Sequence, residues 1–536
     1  MKKLILLTFA IFLFTQSNAQ NWILDQKVVA SDRAYYDNYG YSVSISGNIA
    51  VIGSPHEDED ENGLNYASGA GSAYIYEKGT IGNWIQVQKI VALDRDGGDQ
   101  FGWSVDVSGD YIIVGATYES HDTSGNNKIN KAGSAYIFER GTNGIWSQVQ
   151  KIVASHRITY DEFGWAVSIK GDYVIVGVPK EDEDANGMNY ESAAGSAYIF
   201  KRGSMGIWSQ VQKIVPNIRG GGSKFGTSVC LNENNIICGA TGESLDSSGL
   251  GYIAHAGSAY IFSKNSSGIW SQVKRIVPSD LTTSSGFGNS VSIDSNYVII
   301  GAEYQSASLS GVSYTGVGSA YIYKKSLSGN WNYYQKIIAS DRSIQDRFGI
   351  SVSINGRFIV VGAYQDSDDA NGANPLTLAG SAYIFENNMN GQWVQVEKIV
   401  AFDRETLYNF GYSVSVDGKS VIVGSFNADL RSGYTLSGKG ASYIYEKLST
   451  GISENDFNLS CIYYPNPTSG NITVDLGKTY DRVDLMVSNT LGQVVLSKSY
   501  KSTNNLSFEI KESSGVYFVE IRTDEGKSAV LKVIKE

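Results

Sequence analysis

The chain has 536 residues, 42% hydrophobic and 12% aromatic, enough to bury a core and to exclude a disordered protein. Its 59 Gly exceed the usual ~7% and its 7 Pro fall below the usual ~5%, but no G-X-Y period runs through it, which excludes collagen. The net charge of −11 argues against a nucleic-acid backbone as partner.

At the N-terminus, Lys2 and Lys3 precede the apolar stretch Leu4–Phe14, and Ser17-Asn18-Ala19 offers a small-residue cleavage site. Residues 1–19 therefore read as a secretory signal peptide. The stretch is too short for the ~20 residues that span a bilayer, and no transmembrane segment is expected in the mature chain. Cys230, Cys238 and Cys461 are the only cysteines, so disulfides are not the main source of stability. Cys230 and Cys238 stand across one hairpin, as two small buried residues or as a cross-strand disulfide.

Residues 20–451 carry an internal repeat. An aromatic-Gly pair recurs at Tyr39-Gly40, Phe101-Gly102, Phe163-Gly164, Phe225-Gly226, Phe287-Gly288, Phe348-Gly349 and Phe410-Gly411, in steps of 62 and once 61. A Gly-Ser-Ala-Tyr block follows each, from Gly71 to Gly380, with the variant Gly-Ala-Ser-Tyr at Gly440. Trp22, Trp84, Trp146, Trp208, Trp270, Trp331 and Trp393 keep the same spacing. Within a unit the apolar period is two, which predicts four antiparallel strands, A to D. Seven such units predict an all-β, seven-bladed β-propeller. The first Trp has no A, B or C strand before it, and the last unit has no D. The strand from Trp22 to Ala30 is therefore predicted to close the seventh blade. Small residues on strand A (Ser104, Ser168, Ser290, Ser292) suit a crowded inner strand. Gln148, Gln150 and Lys151 on strand D suit an outer edge protected against pairing.

These residues resemble the FG-GAP repeats of integrin α-subunit propellers and of many bacterial surface proteins. The GAP element is looser, as in Gly53-Ser54-Pro55 and Gly115-Ala116-Thr117. Integrin-like propellers place calcium loops between strands A and B. Here those connections are short turns, such as Ser46-Gly47-Asn48 and Lys170-Gly171-Asp172, so that site is not carried over.

The B–C and D–A connections open on one face, which the long, varied B–C loops mark as the expected functional surface. Two of them read Asp58-Glu59-Asp60-Glu61-Asn62-Gly63 and Asp182-Glu183-Asp184-Ala185-Asn186-Gly187. Both open like EF-hand calcium loops, with Asp58, Asp60, Asn62, Asp182, Asp184 and Asn186 as ligands, so calcium is the one cofactor expected. Gly69 and Ala193 stand where a calcium loop ends in Glu, and the alternative is a solvated acidic loop ending in an Asn-Gly turn. Arg33, Arg95, Arg157, Arg219, Arg342 and Arg404 recur in the D–A connection, with Asp37, Asp99, Asp161 and Asp346 nearby. They read as structural pairs between blades rather than an anion site. Tyr66, Tyr190, Tyr252 and Tyr314 each follow a loop Gly by three residues, and suit glycan or protein recognition or simple loop packing. His56, His121, His156 and His255 show no metal-ligand spacing. No nucleophile elbow, zinc motif, phosphate loop or dinucleotide fingerprint occurs.

Residues 452–536 leave the repeat and read as a small Ig-like β-sandwich. The block Tyr464-Pro465-Asn466-Pro467-Thr468-Ser469-Gly470, the Leu491-Gly492-Gln493 turn, and the closing Gly515-Val516-Tyr517 and Lys532-Val533-Ile534 resemble the type IX (Por) sorting domain of Bacteroidetes-type bacteria. That resemblance implies recognition by the type IX secretion machinery and export through the outer membrane. Removal of the domain would follow, with release or attachment to surface glycolipid. The expectation is an exported, non-enzymatic adhesion or ligand-binding protein with a glycan or protein ligand on the loop face. A secreted polysaccharide hydrolase or lyase and a structural surface component are the alternatives.

Overall fold

In the computed structural model, residues 22–79, 82–309, 312–388, 390–429, 438–447, 462–489, 493–524 and 528–536 are described. Each repeat forms one four-stranded antiparallel sheet. In blade 1, strand A is Ser42–Ser46, B is Ile49–Ser54, C is Ser72–Lys78 and D is Trp84–Ile90. Strands B and C are apolar along most of their length because neighbouring blades cover both of their faces. In the seventh sheet Ser413–Asp417, Ser420–Ser425 and Ala441–Lys447 supply A, B and C, and Trp22–Val28 is the fourth strand. The N-terminal strand closes the ring, as the phase of the repeat predicts.

The recurrent glycines are the seams between blades. The Gly that opens each Gly-Ser-Ala-Tyr block bridges to the aromatic residue of the next pair: Gly71 to Phe101, Gly133 to Phe163 and, around the ring, Gly440 to Tyr39. The apolar core lies between blades. One cluster joins Ile75 and Ile90 to Phe101, Val105 and Trp146. Another joins Ile422 and Ile444 of blade 7 to Tyr39 and Trp84 of blade 1.

Strand D is the outer edge of each sheet, as expected, and its glutamines also reach the next blade. Gln88 Nε2 donates to the Trp146 carbonyl at 2.7 Å, and its Oε1 accepts the Trp146 N–H at 2.9 Å. Gln26, Gln150, Gln212 and Gln335 clamp Trp84, Trp208, Trp270 and Trp393 in the same way. These glutamines join blades, because a primary amide offers the donor and acceptor that an exposed peptide group needs. On strand A, Ser292 and Ser353 accept the N–H groups of Ile354 and Val416 in the next blade at 3.2 and 3.1 Å. The small residues expected near the axis thus stitch the inner strands together.

Cys230 pairs in register with Ile237 and Cys238 with Val229. Their side chains therefore face opposite sides of the sheet, and both are free thiols rather than a disulfide. Cys461 lies outside the described residues.

The chain divides into two compact units, Met1–Glu446 and Lys447–Glu536. In the second, Ile462–Tyr464, Asn471–Asn489, Val494–Glu509, Gly515–Thr523 and Ser528–Lys535 form one connected antiparallel sheet. The long strand Asn471–Asn489 pairs with Val494–Glu509 on one edge, and with Ile462–Tyr464 and then Gly515–Thr523 on the other. Alternate residues of these strands, including Val474, Leu485, Val519 and Val533, form a core of their own. Asn466 Oδ1 accepts the Ile534 N–H at 2.8 Å, which ties the Pro-Asn-Pro-Thr block to the last strand. The expected leader over 1–19 and the boundary at 451 lie outside the described residues. Among those residues, no helix is long and apolar enough to cross a membrane.

Candidate functional site

The acidic B–C loops close on themselves. Asp60 Oδ1 accepts the N–H groups of Asn62 and Leu64, both at 2.9 Å. Asp184 does the same for Asn186 and Met188, at 2.8 and 2.9 Å. These backbone bonds, to Leu64 and Met188 first, hold both carboxyls below the usual range. Asp58 accepts the Gly69 N–H at 2.7 Å, and Asp182 accepts that of Ala193. Ser120 and Ser244 take the same N–H, eleven residues on, in blades 2 and 4, where Asp122 and Asp246 cap the loop tip. A serine thus replaces the first aspartate without changing the closure. The six residues expected as calcium ligands are placed in these loops, with the aspartates bonded to separate backbone groups.

Acidic groups converge elsewhere on the face. Asp32, Glu57 and Glu59 form one cluster, and His156, Glu181 and Glu183 another. A buried lysine enters each: Lys89 lies 2.8 Å from Asp32 and 2.9 Å from Glu57, and Lys213 pairs with Glu181. His156 Nδ1 sits 2.6 Å from Glu183. The spacing of His156 hides this, because its partners lie in the next B–C loop.

The recurrent Arg and Asp do not pair with each other as expected. Arg95 donates to the carbonyls of Asn65 and Asp58 at 2.6 and 2.9 Å, and Arg157, Arg219 and Arg404 repeat this. The guanidinium fork holds the B–C loop to the D–A connection. Asp99 instead accepts the Asp96 N–H, and Asp161 the Ile158 N–H, both at 2.7 Å, so each short carboxylate closes its own turn. Burial pushes Asp37, Asp99, Asp161 and Asp346 up to about 7. The folded state therefore holds protons that an unfolded Asp releases near pH ~3.9. Their contribution to stability is full below that pH and is lost as pH rises through 7. Melting curves between pH 4.5 and 8.5 are expected to show Tm falling by several degrees towards the alkaline end. A variant with all four replaced by Asn should flatten the trend; an equal slope in that variant would reject the assignment.

Tyr66, Tyr190 and Tyr252 are 71, 68 and 75% exposed, beside the exposed Leu64, Met188 and Leu250. Loop packing does not account for them. Tyr314 is half-buried at the end of the loop strand Val312–Tyr314. Each of the four stands on its own blade.

The rings that do meet surround the axis. The residue after the Gly of each aromatic-Gly pair is Tyr41, Trp103, Trp165, Thr227, Asn289, Ile350 or Tyr412. Tyr41, Trp103, Trp165, Thr227 and Tyr412 help line an axial cavity of about 220 Å³ that takes its walls from all seven A strands. Ring centroids lie 5.1 Å apart for Trp165–Trp103, 4.8 Å for Trp103–Tyr41 and 5.2 Å for Tyr41–Tyr412. Tyr364 adds a fifth ring at 5.6 Å from Tyr412, and Phe426 lies 4.6 Å from it. The five-ring arc is partly exposed and runs from blade 3 through blades 2, 1 and 7 to blade 6. Blade 4 adds the polar Thr227 to the lining, and blades 5 and 6 add Ser290 and Ser351. Sequence reasoning missed this site by attending to the loops. The available signal was a position that varies from Trp to Thr next to a nearly invariant pair.

Family comparison agrees with this architecture. The FG-GAP repeat model matches residues 22–76, 84–138, 146–200, 208–262, 270–323, 331–385 and 393–445, one match per blade. The secretion system C-terminal sorting domain matches residues 463–536, which marks the protein for the outer cell surface or for secretion. None of the curated proteins compared with the chain matches it. With seven matches in register over most of its length, each beginning at the Trp that opens a D strand, the chain belongs to the FG-GAP repeat family.

Proposed function

We propose that the protein is a non-enzymatic binding protein of the cell surface or secreted medium, with a glycan as ligand at the axial mouth. The observation that carries this reading is the five-ring arc. Aromatic faces offer rigid, half-apolar area to the C–H faces of sugars, and the polar sector opposite offers hydrogen bonds. The exposed Tyr66, Tyr190 and Tyr252 would extend the contact to longer chains. A polysaccharide hydrolase would need two carboxyl groups roughly 5–10 Å apart. Among the described residues, those lining the cavity include no carboxylate. Both oxygens of Asp60 and Asp184 are engaged within the loop, Oδ1 by two backbone N–H groups and Oδ2 by the amide of Asn65 or Asn189. A cation would compete with these bonds, so we read binding as independent of calcium. In the same reading the terminal unit is an Ig-like sandwich that the type IX machinery recognises and removes.

A glycan array followed by calorimetry tests this. Trp103→Ala and Trp165→Ala are each expected to weaken binding at least tenfold, with affinity and Tm unchanged by chelator. Products released from a polysaccharide would overturn the non-enzymatic reading. Affinity lost on chelation and restored by calcium would return the six loop residues to the role of ligands.

A further inference from the structure

The seam between blades 4 and 5 departs from the repeat at several positions at once. In blades 2, 3, 5 and 6 strand B opens with Tyr111, Tyr173, Tyr297 or Phe358, whose ring lies 5.2–5.8 Å from that of the Trp in the following blade. Asn235 takes that place in blade 4. Lys325 Nζ donates to its Oδ1 at 3.0 Å and lies 5.6 Å over the ring of Trp331. Gln86, Gln148, Gln210, Gln272 and Gln395 on strand D each accept an N–H of the preceding D–A connection at 2.9–3.1 Å. Tyr333 stands there in blade 5, and Tyr334 beside it replaces a Val found in five blades. Lys274 of blade 4 replaces the glutamine that clamps the next Trp from five other blades.

These departures open a groove on the side of the A–B and C–D turns, opposite the axial mouth. Two cavities there, of about 410 and 430 Å³, share Asn296 and Lys325 in their walls. Each falls within the roughly 300–1,000 Å³ of small-ligand sites. Asn232, Asn234 and Asn235 line the first, and each amide carries both donor and acceptor. Lys170 and Lys325 face Glu233 and Asp294 across it, so neither sign of charge prevails. Leu327, Tyr333 and Tyr334 line the second. Tyr334 is held by its hydroxyl, which donates to the Gly391 carbonyl at 2.6 Å, and by Lys324 Nζ, 5.1 Å over its ring. Tyr333 is 57% exposed, its ring nearly perpendicular to that of Tyr323 at 5.8 Å. A repeat that keeps its seam residues elsewhere and gives them up where a groove forms marks that place for a use other than packing.

We propose that this groove binds a neutral oligosaccharide, with one pyranose stacked on Tyr333 and the next hydrogen-bonded to the amides of Asn234 and Asn296. An aromatic face beside a row of primary amides matches a sugar's C–H face and its neighbouring hydroxyls. A peptide fits less well, because the groove crosses turns at the ends of two sheets and offers no strand edge for a main-chain ladder. The site lies on the face opposite the axial mouth and does not rest on the reading of that mouth.

Calorimetric titration with a panel of neutral oligosaccharides tests this, in a chain whose mouth is disabled by Trp103→Ala and Trp165→Ala together. In that background Tyr333→Gln restores the residue of five other blades and removes the stacking ring. It is expected to weaken the best panel sugar at least tenfold, with Tm unchanged or higher because the glutamine bond to the D–A connection is regained. Asn235→Tyr restores the ring of blades 2, 3 and 5 and fills the polar half, and should weaken the same sugar as much. Affinity lost in both variants, with Tm undiminished in Tyr333→Gln, supports the groove. Full affinity in either variant overturns it, as does a lower Tm in Tyr333→Gln, which would assign that ring to the fold. No panel sugar bound by the background chain, or a peptide library bound in its place, also overturns it. Affinity lost when only the mouth is disabled leaves the axial reading standing and rejects this site alone.

Discussion

A chain that begins at residue 29 is expected to lose the cooperative unfolding transition of the ring, or to melt at least about 10 °C lower. Trp22–Val28 is the fourth strand of blade 7, and without it Ala441–Lys447 becomes an exposed edge open to aggregation. The loss is not confined to one ladder. Trp22 is fully buried with its ring 5.2 Å from that of Phe358 in blade 6. Lys27 lies 2.7 Å from Asp403, and Gln26 bonds both backbone groups of Trp84 in blade 1. The strand therefore joins three blades. Truncating one buried Trp costs about 3–5 kcal/mol, against total stabilities of about 5–15 kcal/mol, so removing the strand exceeds what most domains can absorb. Thermal melts and size-exclusion chromatography of the two chains decide the matter. An unchanged Tm would show that the ring does not depend on this closure.

The second large effect is expected from Gly71→Ala. Gly71 has φ +85°, and a Cβ there would lie 2.0 Å from the Phe101 carbonyl oxygen and 2.6 Å from its nitrogen. Both are backbone atoms of the next blade, so relief requires opening the seam. Positive φ alone costs a non-Gly residue about 1–3 kcal/mol, and the clash adds to it, for a loss of roughly 4 kcal/mol or more. Gly109→Ala is the control. Gly109 has φ +58° in an A–B turn with nothing within 4 Å of the added carbon, so only the backbone term applies. Urea titration of the two variants should place Gly71→Ala well below Gly109→Ala. Equal losses would mean that the block glycine serves its local turn and not the contact between blades.

Much of this was legible in the residues. The Gly that opens each block and the aromatic residue of the next pair recur in every unit because each makes the same contact in every seam. The missing D strand of the last unit named its substitute at Trp22. The site was less legible. The D-x-D-x-N-G pattern looks alike in a metal loop and in a loop that bonds its own N–H groups, and only the partners of Asp60 and Asp184 separate the two arrangements. The Arg and Asp of the D–A connection lie close in sequence, yet the fork of Arg95 reaches carbonyls 30 and 37 residues back.

The sequence by itself determined the number of blades, their strand order, the closing strand and the sorting tail. The first three follow from periodicity along one chain, because identical seams demand identical residues at intervals of 62 or 61, and the tail is read from its own motifs. Only the tertiary structure decided where chemistry gathers. Tyr41, Trp103, Trp165 and Tyr412 lie in four different repeats, each directly after an aromatic-Gly pair, and their spacing along the chain does not show that they meet. They meet because a closed ring brings the N-terminal end of every inner strand to a common axis.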